Sequence, residues 1–425
     1  MKNFELYTEH IFKFRFLNNS IYGINAINEV GYEISKQMVK KALIVADSYL
    51  VEKTKVVERV KHNIEEYNIE VDVWTDIEPE PSDVSILKGI NFAKDKKIDG
   101  LIAIGGGSTI DTAKLINLYI TYPTTDLYDY FPPPHGKGTK IPAPLKPLIA
   151  IPTTSGTGSE VSPAAVITSS KTKEKLVVIS EFLKPNVAIL DPLLTVTMSP
   201  TLTANTGMDA LMHAIEAYTI KPFYTREAPK SPEERPILQG SSVITDIFAE
   251  KAIRLISKYL IRAYSNGLDL IARKGMHLAA HMAGVAFSNT GVHLAHAIGY
   301  SLVEELLKRG KKVPHGVSVA IASPAILKHI TPYKFKKCKQ LVKLLGEESK
   351  GLTIEEVGEV LFKKLTQFLR ILNFPNGISG LGFENKEIVS LTENVLKQKR
   401  LLINAPFIVT KDDIKKILEE SFQYW

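Results

Sequence analysis

An α/β half followed by an all-α half is the fold class this 425-residue chain predicts. Short β-branched runs alternate with helical patterns up to residue 190, and beyond Asp191-Pro192 the β runs stop. The length exceeds the roughly 250–300 residues that one hydrophobic core serves, which predicts two domains with a cleft between them. The boundary is expected near 191–194, giving an α/β domain over 1–192 and a helical domain over 193–425.

The strand candidates are KALIVA (41–46), EVDVWT (70–75), GLIAIG (100–105), LIAIP (148–152) and VAIL (187–190). Between them, 50–67 and 83–97 carry apolar residues at three and four spacing, and Ser82 or Asp83 would cap the second after Pro81. In the second half 200–219, 242–265, 268–289, 293–308, 317–330, 333–346, 353–373 and 386–397 read as helices. Two stretches interrupt the pattern, 129–147 and the proline-rich 221–240; such segments inside a compact domain cover a functional site or are disordered.

Apolar content of 44% and charged content of 23% are ordinary for a soluble globular protein. No window reaches the eighteen or so apolar residues of a membrane span, and MKNFELYTEHIFKFRF carries charges where a signal peptide would be apolar. A cytoplasmic protein is expected, with neither membrane nor nucleic acid as a partner. The net charge is +7, but only ten of the 53 basic residues are Arg and the Lys are scattered, which fits a solvated surface able to attract anionic substrates. Cys338 is the one cysteine, so an internal disulfide and a thiolate metal site are both excluded.

In GLIAIGGGSTIDTAKLINLY a β run leads straight into Gly105, Gly106 and Gly107, then Ser108 and Thr109 at a helix start, with Asp111 and Lys114 in the first turns. Glycines let backbone approach a pyrophosphate, and a helix N-terminus offers unpaired N–H groups and a favourable dipole. The bland alternative is a turn made for packing alone, and the pattern is not GxGxxG. Asp47, ending KALIVAD, could accept ribose hydroxyls and favour NAD over NADP, or could simply cap a helix. PTTSGTGSE (152–160) follows another strand with small and hydroxyl residues suited to lining a cofactor.

Asp209 and His213 lie four apart in TANTGMDALMHAIEAYT, so both leave one face of a helix. With His296 in GVHLAHAIG and His315 in VPHG they would offer a divalent metal one carboxylate and three imidazoles, a donor set for Fe(II), Zn(II), Mn(II), Co(II) or Ni(II) rather than Ca(II). Two unrelated buried pairs would show the same spacing. His277 and His281 are also four apart, but among Met276, Leu278, Ala279 and Met282 they read as packing residues. His293 reads as a neighbour of the centre rather than a ligand.

Taken together, GGGSTIDTAK, PTTSGTGSE, DALMH and the two later histidines resemble the iron-containing, or group III, alcohol dehydrogenases over nearly the whole chain. The resemblance implies an N-terminal dinucleotide-binding domain and a helical metal-binding, catalytic domain, the architecture shared with dehydroquinate synthase. It also implies hydride transfer in the cleft and a homo-oligomer, expected as a dimer. It places Fe(II), with Zn as the alternative, on Asp209, His213, His296 and His315. It places the cofactor, NAD before NADP, on Asp47, Gly105, Gly106, Gly107, Ser108 and Asp111, with Thr153, Thr154, Thr157 and Lys175 at further contacting positions. RPILQGSSVITD (235–246), LKPLIAIPTTSGTGSE and VPHGVSVAIASPA (313–325) are similar to the hydroxyacid-oxoacid transhydrogenase branch. Where many members have a second histidine four beyond the ligand, this chain has Tyr300.

The substrate so implied is a small alcohol, hydroxyacid or oxoacid, of the 4-hydroxybutyrate and 2-oxoglutarate type. A dehydrogenase acting on simple alcohols and aldehydes is the alternative. Arg226 and Arg235 are expected to grip the substrate carboxylate, unless they are only surface arginines. Two further readings are a lyase-type relative of dehydroquinate synthase and a non-catalytic nucleotide-binding protein.

Overall fold

A computed structural model describes residues 10–16 and 19–425. Its strands are β1 (Asn19–Tyr22), β2 (Lys41–Ala46), β3 (Glu70–Trp74), β4 (Gly100–Gly105), β5 (Leu148–Pro152), β6 (Ala164–Thr168), β7 (Lys175–Ile179) and β8 (Val187–Leu190). Six of them form a wholly parallel sheet in the order β1-β8-β5-β4-β2-β3. The central strands β4, β5 and β8 are buried along their whole length, which is why they read as continuous apolar runs. The helices of this half are α1 (Val30–Ser35), α2 (Ser48–Lys53), α3 (Val56–Glu65), α4 (Asp83–Lys94) and α5 (Gly107–Thr121). Leu43, Val45, Leu101 and Ala103 face α4, α5 and the β6–β7 hairpin, whereas Ala42, Ile44, Ile102 and Ile104 face α1 and α3. Period-two alternation thus feeds two cores from one sheet.

The differences from the sequence reading have local causes. The helix expected over 50–67 is two helices, because Asp47 caps the first at Ser48 and Thr54 is extended (φ −135°, ψ 164°) between them. The sequence reading did not include the antiparallel β6–β7 pair and the short β1; β6 and β7 alternate half-buried with buried residues, and a tight turn with Lys173 at φ +63° joins them. The chain divides into two compact units, one of Phe16–Met198 and one in which residues 10–15 join Ser199–Trp425. The first unit therefore continues past 192: Leu194 packs in the sheet core, and Asp191 caps the turn Pro192–Thr195 while accepting the Ile27 N–H (3.4 Å).

The second unit contains α6 (Pro200–Thr219), α7 (Val243–Ser265), α8 (Leu270–Thr290), α9 (Leu294–Lys308), α10 (His315–Ala320), α11 (Ser323–Ile330), α12 (Phe335–Leu344), α13 (Ile354–Ile371), α14 (Ile388–Leu396), α15 (Lys399–Leu402) and α16 (Lys411–Glu420). The expected helix 317–330 is broken between Ala320 and Ser323, where Pro324 starts a new helix. Helix α6 packs on both α7 and α8 and is buried from Thr203 to Thr219 apart from Thr206, so its polar residues have to find partners inside the protein. Cys338 lies buried on α12, where burial pushes its thiol up to about 11.

Candidate metal centre

Helix α6 starts with Ser199 accepting the Leu202 N–H and Pro200 in its first turn, and carries Asp209 and His213 one turn apart. His296 comes from the first turn of α9, and His315 is the first residue of α10. A Cβ on Gly316 would sit 1.9 Å from the carbonyl oxygen of Asn205, one turn before Asp209, so only glycine lets His315 close on α6. Asp209, His296 and His315 each offer a ligand atom within 4.8 Å of the others. His213 adjoins them: its Nε2 is 3.1 Å from His296 Nε2 and its Nδ1 is 3.8 Å from Asp209 Oδ2. His315 Nε2 lies 3.7 Å from Asp209 Oδ1. The His213 ring stacks on Phe287 (4.3 Å), and Tyr300 packs against both His296 (6.1 Å) and His315 (5.7 Å).

These four side chains suit a cation. Ligand atoms about 2.1 Å from one ion are separated by about 3–3.5 Å, the range of the His213–His296 approach. Asp209 is 2% exposed, and its Oδ1 is buried without a hydrogen-bond donor, as is His213 Nδ1. A buried anionic oxygen left so is costly unless a cation completes it. Burial alone would raise the Asp209 carboxyl, but the surrounding His213, His315 and His296 hold it below the usual carboxylate range. Burial, with His213 and Arg400 adding to it, pushes His296 down to about 3. His296 is thereby kept in the neutral form that ligates. Glu216, one turn beyond His213, is in hydrogen-bond contact with His296 Nδ1 through Oε2 and accepts from the backbone N–H groups of His293 (3.1 Å) and Ala295 (2.7 Å). Burial raises its carboxyl, opposed by His293 and those two N–H groups.

In the α/β unit, Gly105 ends β4 and α5 begins at Gly107. A Cβ on Gly105 would meet Thr109 Oγ1 at 2.3 Å and one on Gly107 would meet Thr157 Cγ2 at 2.7 Å, so these two glycines serve close packing. A Cβ on Gly106 would lie no nearer than 3.4 Å to Thr154. Thr153 donates its N–H to the Gly105 carbonyl (3.0 Å), which draws the 153–157 loop beside the glycine turn, and Ser108 Oγ bonds the Pro79 carbonyl. Asp47 caps α2 through Oδ1 and the Tyr49 N–H (2.8 Å).

Several expected residues are otherwise engaged. Asp111 accepts from Ser159 Oγ, Lys114 Nζ (3.4 Å) and the Val166 N–H (3.0 Å), so both oxygens bind protein rather than facing a phosphate. Lys114 is wholly buried and donates to Ser159 Oγ (3.0 Å) and to the carbonyls of Ser162 (3.1 Å) and Ala164 (2.7 Å). Lys175 pairs with Glu80 (2.7 Å). Arg226 donates to Leu238 O (3.1 Å) and Asn404 Oδ1 (2.9 Å), which pins the 221–240 stretch and takes this guanidinium out of the role expected for it. Arg235 is half-buried with Nε unbonded, and no described contact brings it to the histidines. His277 and His281 are buried on α8, outside the cluster. His293 bonds Thr219 Oγ1 (3.0 Å) beside Glu216. Sequence reading missed Glu216 and Arg400. The former sits on the ligand face of α6, three residues past His213, and that spacing was a usable signal.

A buried Asp-and-histidine cluster in a helical unit, together with a strand–glycine turn–helix in a parallel sheet, fits an enzyme that uses a metal ion and a dinucleotide. The description "Iron-containing alcohol dehydrogenase" matches residues 18–192, and "Fe-containing alcohol dehydrogenase family, C-terminal" matches 237–422. This chain belongs to the iron-containing alcohol dehydrogenase family. It is 37% identical to "Hydroxyacid-oxoacid transhydrogenase, mitochondrial" of Bos taurus, over 95% of this chain and 88% of that protein. To the human protein of that name it is 36% identical, over 96% and 89%. The structure resembles a 1,3-propanediol oxidoreductase (TM-score 0.85, 31% identity, 97% of this chain and all of that one). It is equally close to an alcohol dehydrogenase from Oenococcus oeni (TM-score 0.85, 29% identity, 97% and 100%).

Proposed function

We propose that this protein passes hydride from a hydroxyacid to an oxoacid through a nicotinamide that stays bound, with Asp209, His213, His296 and His315 holding Fe(II). The observation that carries the substrate class is similarity along 95% of the chain to proteins named hydroxyacid-oxoacid transhydrogenase. A divalent metal bound there supplies Lewis acidity toward the substrate oxygen near neutral pH. Asp209 brings the negative charge that holds the ion, and imidazoles, which ligate as neutral groups, complete the set without cancelling its positive charge. Arg400 on α15 is exposed, has no carboxylate partner among the described residues, and adds positive potential at His296. A cation so placed favours a substrate bearing a carboxylate. The dinucleotide belongs on Gly106, Ser108 and the N-terminus of α5, with Asp47 at the ribose; its carboxylate disfavours the extra phosphate of NADP.

The test is incubation with 4-hydroxybutyrate and 2-oxoglutarate without added NAD, alongside metal analysis. Stoichiometric succinic semialdehyde and 2-hydroxyglutarate are expected. NADH accumulating from simple alcohols, with no exchange between the two acids, would instead establish an ordinary dehydrogenase.

A further inference from the structure

We infer that Glu216 is a positioning residue for the metal centre: it selects the tautomer of His296 that leaves Nε2 free to ligate, and ties that choice to the N-terminus of α9. The inference rests on the metal site proposed above and concerns a residue outside the ligand set. Glu216 is 1% exposed and stands on α6 seven residues past Asp209 and three past His213, on the same helix face. Its Oε2 meets His296 Nδ1. Its Oε1 accepts two backbone N–H groups, from His293 and Ala295, at 3.1 and 2.7 Å.

Those N–H groups belong to His293, the N-cap of α9, and to Ala295 in its first turn, and the N-cap side chain satisfies neither. The first N–H groups of a helix need an acceptor, and a carboxylate there is favoured by the helix dipole. Glu216 therefore caps α9 from another helix. With Oε1 occupied by two donors, Oε2 is left to accept, so the proton on His296 sits on Nδ1 and the lone pair on Nε2. That Nε2 is the atom 3.1 Å from His213 Nε2, within the cluster. A carboxylate behind a ligating imidazole fixes ring orientation and raises basicity.

Glutamine at this position makes the test sharp, since it preserves shape and volume. Its Oε1 can still cap α9, but its NH2 then faces His296 and can only donate. The Nδ1 must become the acceptor, and the proton moves to Nε2, where a metal would bind. The experiment titrates Co(II) into chelator-stripped wild-type protein and Glu216→Gln against a chromophoric competitor. It records the Co(II) d–d spectrum and the thermal midpoints of both metal-free forms.

Co(II) affinity 10–100-fold weaker in Glu216→Gln, with an altered spectrum and metal-free midpoints close together, is expected. Equal affinity with the same spectrum overturns the inference. Wild-type protein that takes up no Co(II) overturns the metal site itself, and the inference with it. Where Glu216→Gln does not fold, nitrogen NMR of His296 in metal-free wild type decides: a proton on Nδ1 supports the assignment, and one on Nε2 refutes it.

Discussion

Lys114→Met is the most informative single perturbation of the α/β unit. Methionine keeps the length of the stem and removes a wholly buried ammonium whose three N–H groups have three acceptors at 2.7–3.1 Å, with Asp111 at 3.4 Å. The substitution orphans the carbonyls of Ser162 and Ala164, each costing about 1–3 kcal/mol. It also leaves Asp111 without its counter-charge, and removing one partner of a buried pair costs about 3–5 kcal/mol. These terms overlap, and relief of the burial that presses the Lys114 pKa down opposes them, so a net loss of about 3 kcal/mol is expected. Urea unfolding followed by Trp74 fluorescence in a Trp425→Phe background reads this unit alone, because Trp74 and Trp425 are the only tryptophans. The double variant with Asp111→Asn recovers part of the loss, having no stranded carboxylate. A loss under about 1 kcal/mol, or no recovery in the double variant, would refute the reasoning.

Gly316→Ala drives a methyl against the Asn205 carbonyl, so His315 moves off α6; a loss of about 1–3 kcal/mol and weaker metal retention are expected in thermal melts with and without metal. Arg400→Gln lowers kcat/KM for 4-hydroxybutyrate relative to 1-butanol by about 2–5-fold, the scale of one exposed charge, and the effect shrinks as salt is added. Half-buried Lys334 titrates near 8 because burial and Lys337 lower it from 10.5. The folded state then binds fewer protons than the unfolded between about pH 8 and 10.5, so this residue opposes folding below pH 8 and stops doing so as pH rises to 10.5. Lys334→Met accordingly stabilises at pH 7, by about 1 kcal/mol after allowing for solvent screening, and gives no advantage above pH 10.5 in parallel urea titrations.

Much of this architecture was legible because the physics behind it is local. Strands buried on both faces read as apolar runs, and LIAIP and VAIL coincide with β5 and β8. Asp209 and His213 were legible because helical spacing sets their common face, whereas their meeting with His315 depends on Gly316 fitting against Asn205, a tertiary contact that spacing cannot express. Asp111 misled for a physical reason: a polar residue in a helix's first turns can face a ligand or the next loop, and here it holds Ser159 and the Val166 N–H of β6. Arg226 misled in the same way. Glu216 was overlooked because a carboxylate on a helix is commonplace until its neighbours show it to be enclosed.

The placement of Cys338 bears on how this protein ages. A thiol pushed to about 11 and shut inside α12 is a poor nucleophile and a poor target for peroxide. Exposure to air therefore has no ready route to sulfenic acid or to cross-linked chains. With Fe(II) at the proposed site, activity lost on storage is expected to return with reduced metal and not with a thiol reagent.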